Sequence, residues 1–212
     1  MRTLDEAREV CERYLPGLLA KLAEIPLTEL EKPGNPGLEL FRASGGPALV
    51  IPKSYSGSGA TPLEAIQVTR AIGAAAPSLA VASTMHHFSV ATIFTLAESL
   101  RSSGVEWALL EGIATQNLLV ASGFAEGNPG QGILSPTVSG VRKDGGIVVS
   151  GSKRPCSISR SMDLLSASVS VPAQDGGSET VLMLVPRRRP VCPSIRSGAA
   201  TCWPGPRATR SG

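Results

Sequence analysis

Val50-Ile-Pro-Lys-Ser-Tyr-Ser-Gly-Ser-Gly-Ala-Thr-Pro-Leu-Glu64 runs from a turn-rich loop straight into a helix start. The serines with Gly57 and Gly59 mark the loop. Thr61 and Glu64 then have the spacing of a capping box, in which each side chain accepts a hydrogen bond from the other's backbone amide. Pro62 between them is preorganised for the first helical position and gives up no needed donor. A helix is therefore predicted through Ile66, Val68, Ile72 and Gly73, ending before Pro77. The same loop argues against the two common nucleotide-binding turns. Ser56-Gly-Ser-Gly59 is not followed by Lys-Ser/Thr, and no Gly-x-Gly-x-x-Gly joins a strand to a helix.

Upstream, Thr3-Leu-Asp-Glu6 has the same box spacing and leads into Val10, Tyr14, Leu18 and Leu22 at helical intervals, with Pro16 expected to kink or split the segment. Asn35-Pro-Gly and Ser44-Gly-Gly-Pro47 read as loops. Downstream, Leu79 to Ser102 is apolar on most sides and stops at Gly104, the pattern of a helix buried among others. From Asn117 the grammar changes to short β-branched runs: 118–121, 132–141, 147–150, 164–171 and 180–185. Lys143-Asp-Gly-Gly146 is a hairpin turn among them. The expected fold is α+β: an all-α helical domain over 1–115, then a barrel-like or sandwich β domain over 116–186.

With 42% hydrophobic and 17% charged residues, a chain of 212 residues is globular rather than disordered. No charged segment followed by an apolar core opens it, so no signal peptide is expected. Ser, Thr, His or Glu interrupts the apolar runs before the ~18 residues of a membrane span. A cytoplasmic protein without a membrane partner is expected. Cys11 and Cys156 are far apart and lack metal-ligand spacing, so neither a disulfide framework nor a metal site is expected.

Residues 187–212 differ from everything before them. They hold six of the twenty Lys and Arg residues, all arginine, with four prolines and no acidic residue, which leaves fourteen basic against seventeen acidic side chains upstream. Without lysine, helical period or stacking aromatics, the segment does not fit a nucleic-acid-binding arm. Its composition fits G+C-rich codons read out of register. Cys202-Trp203-Pro204 must be written TGY-TGG-CCN, and the third-base offset reads Leu-Ala. This basic tail is expected to be non-native or disordered.

Three places carry candidate chemistry. Ala125-Glu126-Gly-Asn-Pro-Gly130-Gln131-Gly132 links two strands through a turn whose amides can cradle a phosphate or a flavin edge. Gly151-Ser-Lys153-Arg-Pro155-Cys156-Ser157 offers a basic pair, a thiol and a hydroxyl. The alternatives are an ordinary β-turn and an exposed strand end. His86 and His87, the only histidines, are adjacent on an apolar helix and therefore face different ways. Either has the chemistry of a general base. With no carboxylate at helical spacing to orient them, core or interface histidines are the expected reading. No Gly-x-Ser-x-Gly supplies a nucleophile.

Taken in order, these pieces resemble the acyl-CoA dehydrogenase superfamily of flavoproteins. Val50-Ile-Pro52 to Gly59 with Glu64 is similar to that family's Pro-Glu-x-x-Gly-Gly-x-Gly-x-Ser-x-x-Glu. His86 follows in the third helix. Ala125-Glu126-x-x-x-Gly130-Gln131-Gly132 is similar to Thr-Glu-x-x-x-Gly-Ser-Asp, Gly151-x-Lys153-x-Pro155-Cys156-Ser157 to Gly-x-Lys-x-Trp-Ile-Thr/Ser, and Asp163-Leu-Leu-Ser-Ala to the Ala-Asp-x-x-x-Val strand. The resemblance implies FAD bound by Phe124, Ala125, Glu126, Pro155, Cys156 and Ser157, with Gln131 and His86 toward the substrate. It also implies an acyl-CoA or related small molecule as substrate and a homo-oligomer. The implied reaction oxidises a CH–CH bond of an acyl thioester in fatty acid metabolism, with the family's base in a C-terminal four-helix domain that is absent here. No catalytic residue is therefore assigned, and a truncated, inactive form is expected.

Ala125, Gly132 and Pro155 depart from the family's hydroxyl, carboxylate and stacking aromatic. Flavin-dependent monooxygenases on the same fold are the alternative, and a non-catalytic helical binding protein is a third. The out-of-register reading predicts that resequencing the gene across the codons for Pro186 and Arg187 will reveal an inserted or deleted base. An intact frame with natural relatives of the tail would refute it.

Overall fold

The computed structural model describes residues 3–99, 104–126, 136–143, 146–173, 176–187 and 202–204. The chain divides into two compact units, Met1–Val120 with Arg160–Met162, and Ala121–Ser159 with Asp163–Gly212.

The helical unit contains α1 (Leu4–Tyr14), α2 (Leu18–Ala23), α3 (Leu27–Leu30), α4 (Gly37–Ala43), α5 (Pro62–Ala75), α6 (Pro77–Ala97) and α7 (Val105–Thr115). Both capping boxes form: Thr3 Oγ1 accepts from the Glu6 amide at 3.2 Å and Thr61 Oγ1 from the Glu64 amide at 3.3 Å, while each glutamate accepts from its threonine's amide. Pro16 splits the first segment as expected, and Gly17 turns the chain in a left-handed conformation (φ 74°) between α1 and α2. Phe41, Leu15, Leu18, Leu49, Ile51, Ile72, Ile93, Leu110 and Ile113 fill the core.

The loop quoted at the outset folds back on the segment before it. Ser58, Gly59 and Ala60 donate to the carbonyls of Ala48, Ile51 and Leu49 at 3.0, 2.8 and 2.9 Å. This closeness fixes Gly57, where a Cβ would lie 2.0 Å from the Ile51 carbonyl oxygen. Tyr55 then stacks on Trp107 of α7, with centroids 4.3 Å apart and planes 12° apart.

α3, α4 and α7 are elements that the sequence pattern did not separate, and α6 ends at Ala97 rather than near Ser102, with residues 100–103 outside the described ones. By length and composition alone α6 is long and apolar enough to cross a membrane. Nine of its residues are nevertheless buried in this unit, Ser83, His86, His87 and Ser89 among them. Its Ser83, Thr84 and Ser89 hydroxyls donate to carbonyls three or four residues back, so they add polar composition without requiring outside partners.

In the second unit β1 (Val120–Gly123), β2 (Ser139–Lys143), β3 (Gly146–Ser150), β4 (Leu164–Pro172) and β5 (Ser178–Pro186) form one mixed sheet, with a three-residue strand β6 (Cys202–Pro204) antiparallel to β3. The β2–β3 register, Lys143 opposite Gly146, is that of the expected two-residue hairpin. β4 is the organising strand. It pairs antiparallel with all of β5 from Leu164↔Pro186 to Pro172↔Ser178, meets β2 in parallel at Ser139↔Ser170, and borders β1. Val138, Val169, Val171 and Met183 form its apolar core.

Gly57→Ala forces a methyl group against a backbone carbonyl that cannot swing away. It is expected to destabilise the protein by about 3 kcal/mol, read as a lowered urea midpoint with an unchanged m-value. The wild-type midpoint in that variant would show that the loop is not held against Ile51.

Candidate functional site

Two segments singled out in the sequence, Phe124–Glu126 and Lys153–Ser157, lie side by side in the β unit. Glu126 and Arg154 form a parallel bridge, and the Arg154 amide donates to the Ala125 carbonyl at 2.8 Å. Below that bridge the Lys153 ammonium meets Glu126 Oε1 at 2.6 Å, with the two side chains only 7% and 3% exposed. The Thr137 amide donates to Glu126 Oε2 at 2.8 Å, the Thr137 hydroxyl donates to the same oxygen, and the Val138 amide reaches Oε1 at 3.3 Å. Lys153 also donates to Ser168 Oγ at 3.1 Å.

Burial pushes the Glu126 carboxyl up, but the Lys153 and Thr137 hydrogen bonds and the Val138 amide push harder and bring it down to about 2. The carboxylate's oxygens are thus taken up within the protein. Glu126, expected from the resemblance at the cofactor, uses its carboxylate to hold the two segments together.

The Glu126–Lys153 pair adds no net charge to this strip, and Arg154 beside it is exposed. The Ser157 hydroxyl and the Cys156 thiol have no side-chain hydrogen-bond partner among the described residues, and burial raises the Cys156 thiol's pKa, keeping it protonated. Pro155 is exposed, and Phe124 and Ala125 are half-buried. Gln131 lies outside the described residues. No group of three or more potential metal ligands occurs among the described residues.

The histidines occupy different environments. His86 is 0% exposed, its Nδ1 accepts from the Val120 amide at 3.0 Å, and its Nε2 lies 3.0 Å from the Pro47 carbonyl. A carbonyl only accepts, so Nε2 carries the proton and both ring nitrogens are occupied. His86 therefore cannot reach a substrate, contrary to its expected place, and acts as a tie within the core. Burial first, with the neighbouring His87 assisting, lowers its pKa to about 3.

His87, assigned no role by the resemblance, lines a cavity of about 960 Å³. Val50, Pro52, Ala65, Ile66, Phe88 and Phe94 give it an apolar wall. Nε2 of His87 lies 3.2 Å from the Gly46 carbonyl, and burial lowers the ring's pKa to about 4. Sequence spacing alone could only say that the two rings face apart; which one met the cavity required the packing of Phe41 and residues 46–47.

No protein family's sequence profile matches the chain. Isobutylamine N-hydroxylase of Streptomyces viridifaciens is 47% identical over 186 residues, which is 87% of this chain and 49% of that protein. The chain therefore spans about half the length of this curated relative. Among solved structures, methanesulfinate monooxygenase MsuC of Pseudomonas fluorescens superposes with a TM-score of 0.60 at 22% identity, over 88% of this chain and 43% of that one. TdsC of Paenibacillus sp. A11-2, a dibenzothiophene monooxygenase solved with FMN and indole, gives 0.60 at 21%, over 86% and 43%. These likenesses establish the fold as the one expected from the sequence.

Acid should destabilise the two units through offset windows that overlap between about pH 4.5 and 3. The histidines normally titrate near 6.5, so stability present above that pH falls as protons bind the unfolded chain but not the buried rings, down to about 4 and 3. For Glu126, ordinarily at 4.5, stability present above that pH is lost as pH falls toward about 2. Urea melts at stepped pH, read by NMR signals from each unit, resolve the two. Glu126→Gln, which strands a buried ammonium, should cost about 3–5 kcal/mol and abolish the lower window. Retention of that window in the variant would assign it to another group.

Proposed function

We propose that this chain is part of a flavin-dependent monooxygenase of the acyl-CoA dehydrogenase superfamily that hydroxylates the nitrogen of a small aliphatic amine. The observation that carries the proposal is the 47% identity, over 186 residues, to an isobutylamine N-hydroxylase. It favours the monooxygenase alternative over oxidation of an acyl-thioester CH–CH bond, and a small amine over an acyl-CoA. The departures at Ala125, Gly132 and Pro155 from the dehydrogenase pattern point the same way.

The residues present fit a flavin, taken as FMN or FAD. A ring edge rich in carbonyl and imine acceptors is met by donors held rigidly. The strip at 124–126 and 153–157 has the Glu126 carboxylate and the Lys153 ammonium neutralised against each other, leaves Arg154 exposed, and carries the Ser157 hydroxyl and the Cys156 thiol without side-chain partners among the described residues. Ser157 and Cys156 would donate to the ring edge, Phe124 and Ala125 would pack along it, and Pro155 would cover a face. Reduced flavin supplies the two electrons with which dioxygen forms an N–O bond to the amine while its second oxygen leaves as water. The Glu126–Lys153 pair keeps the donors in register.

The test supplies the protein, carried on to the length of its curated relative, with chemically reduced flavin, air and isobutylamine, and follows N-isobutylhydroxylamine by mass spectrometry, with butyryl-CoA and a dye acceptor in parallel. Hydroxylamine formed at the expense of oxygen is expected. Anaerobic dye reduction by the thioester with no hydroxylamine would restore the dehydrogenase reading.

A further inference from the structure

We propose that the cavity between α5 and α6 binds the substrate amine as its neutral free base, with His87 Nδ1 as the fixed acceptor for one N–H. Taking the ligand to be the amine rests on the function proposed above; the cavity's preference for a neutral donor stands on geometry alone.

The first observation is the lining. It contains no Asp or Glu, whereas Lys53 and Arg70 both border it. An alkylammonium drawn against this apolar wall would give up hydration there, find no carboxylate in the lining and meet a lysine at its border, so the neutral amine is favoured over the protonated one. An uncharged apolar chain meets Ile66, Phe88, Ala91 and Phe94, which favour it. The volume of about 960 Å³ lies at the upper end of the range for drug-sized ligands, ~300–1,000 Å³, so the cavity accepts amines larger than a four-carbon one.

The second observation is the ring. Because the Gly46 carbonyl can only accept, Nε2 bears the hydrogen of the neutral imidazole and Nδ1 is left as a bare lone pair. His87 is 8% exposed, and Nδ1 has no hydrogen-bond partner among the described residues. Polar side-chain atoms sealed from solvent without a partner include Gln67 Oε1 and Ser166 Oγ, but His87 Nδ1 is not among them. The small surface it retains belongs to a residue of the cavity wall. Nearby, Thr84 has its hydroxyl hydrogen committed to the Ala80 carbonyl at 2.7 Å and offers no second donor there. A neutral ligand donor is thus matched by an acceptor that has nothing else to bind. An amine held through one N–H keeps its nitrogen lone pair, the electrons that N-hydroxylation consumes, directed away from His87.

The discrimination can be read by calorimetric titration near neutral pH with three probes: hexan-1-ol, its methyl ether and N,N,N-trimethylhexylammonium. In the wild-type protein the alcohol should bind about tenfold tighter than the ether, and the quaternary ammonium should show no binding. In His87→Phe, which retains bulk but lacks the acceptor, the alcohol-to-ether ratio should fall to about one. Should that variant fail to fold, the His87 Nδ1 nitrogen resonance of the wild-type protein should move on adding the alcohol and remain in place with the ether. Equal binding of alcohol and ether, binding of the quaternary ammonium, a ratio that survives in His87→Phe, or an unmoved resonance would each overturn the proposal. No flavin or oxygen enters this assay. Its failure leaves amine hydroxylation standing, whereas intact discrimination without hydroxylamine production removes that reading alone.

Discussion

A neutral imidazole at the centre of the helical unit ties its first loops to the point where the chain leaves it. His86 accepts from the Val120 amide and donates to the Pro47 carbonyl, and it is wholly enclosed. Both bonds require the neutral ring with its proton on Nε2, and burial enforces that state. The ring tilts against Phe41, whose own side chain fills the space left by Gly46; a Cβ there would lie 2.2 Å from the Phe41 ring. The carbonyl of that same Gly46 fixes His87, so two successive carbonyls, of Gly46 and Pro47, set the tautomers of the two rings one by one.

The β unit solves a different electrostatic problem. A carboxylate and an ammonium almost out of contact with water are tolerable only because Thr137, Val138 and Ser168 complete their hydrogen bonds. The pair adds no net charge to the strip that a flavin would face. Its value is geometric, holding the turn after β1 beside the segment after β3.

Local features were legible from sequence because their partners lie within a few residues: the two capping boxes, the split at Pro16 and the two-residue β hairpin. Gly57 was recognisable as a turn glycine, but its dependence on the Ile51 carbonyl appears only after the loop closes. α7 was absorbed into a general helical reading because Gly104 marked an end without showing a new beginning. At the site, proximity of the 124–126 and 153–157 segments was implied only by resemblance. The Glu126–Lys153 bond itself spans 27 positions, and no periodic pattern announces it. The adjacent histidines show the limit most clearly, since a difference of one residue chooses between core tie and cavity wall and only packing decides.

The antiparallel pairing of β4 with β5 has a kinetic meaning. Its turn, where the Ala173 amide donates to the Gly177 carbonyl at 3.0 Å, closes over a handful of residues, so this hairpin has little loop entropy to overcome. Placing β1 beside β4 instead requires closure over some forty residues. The β4–β5 hairpin is thus the natural nucleus and the edge at β1 the late arrival, so the turn that brings Glu126 to Lys153 is among the last parts of the sheet to be set in place.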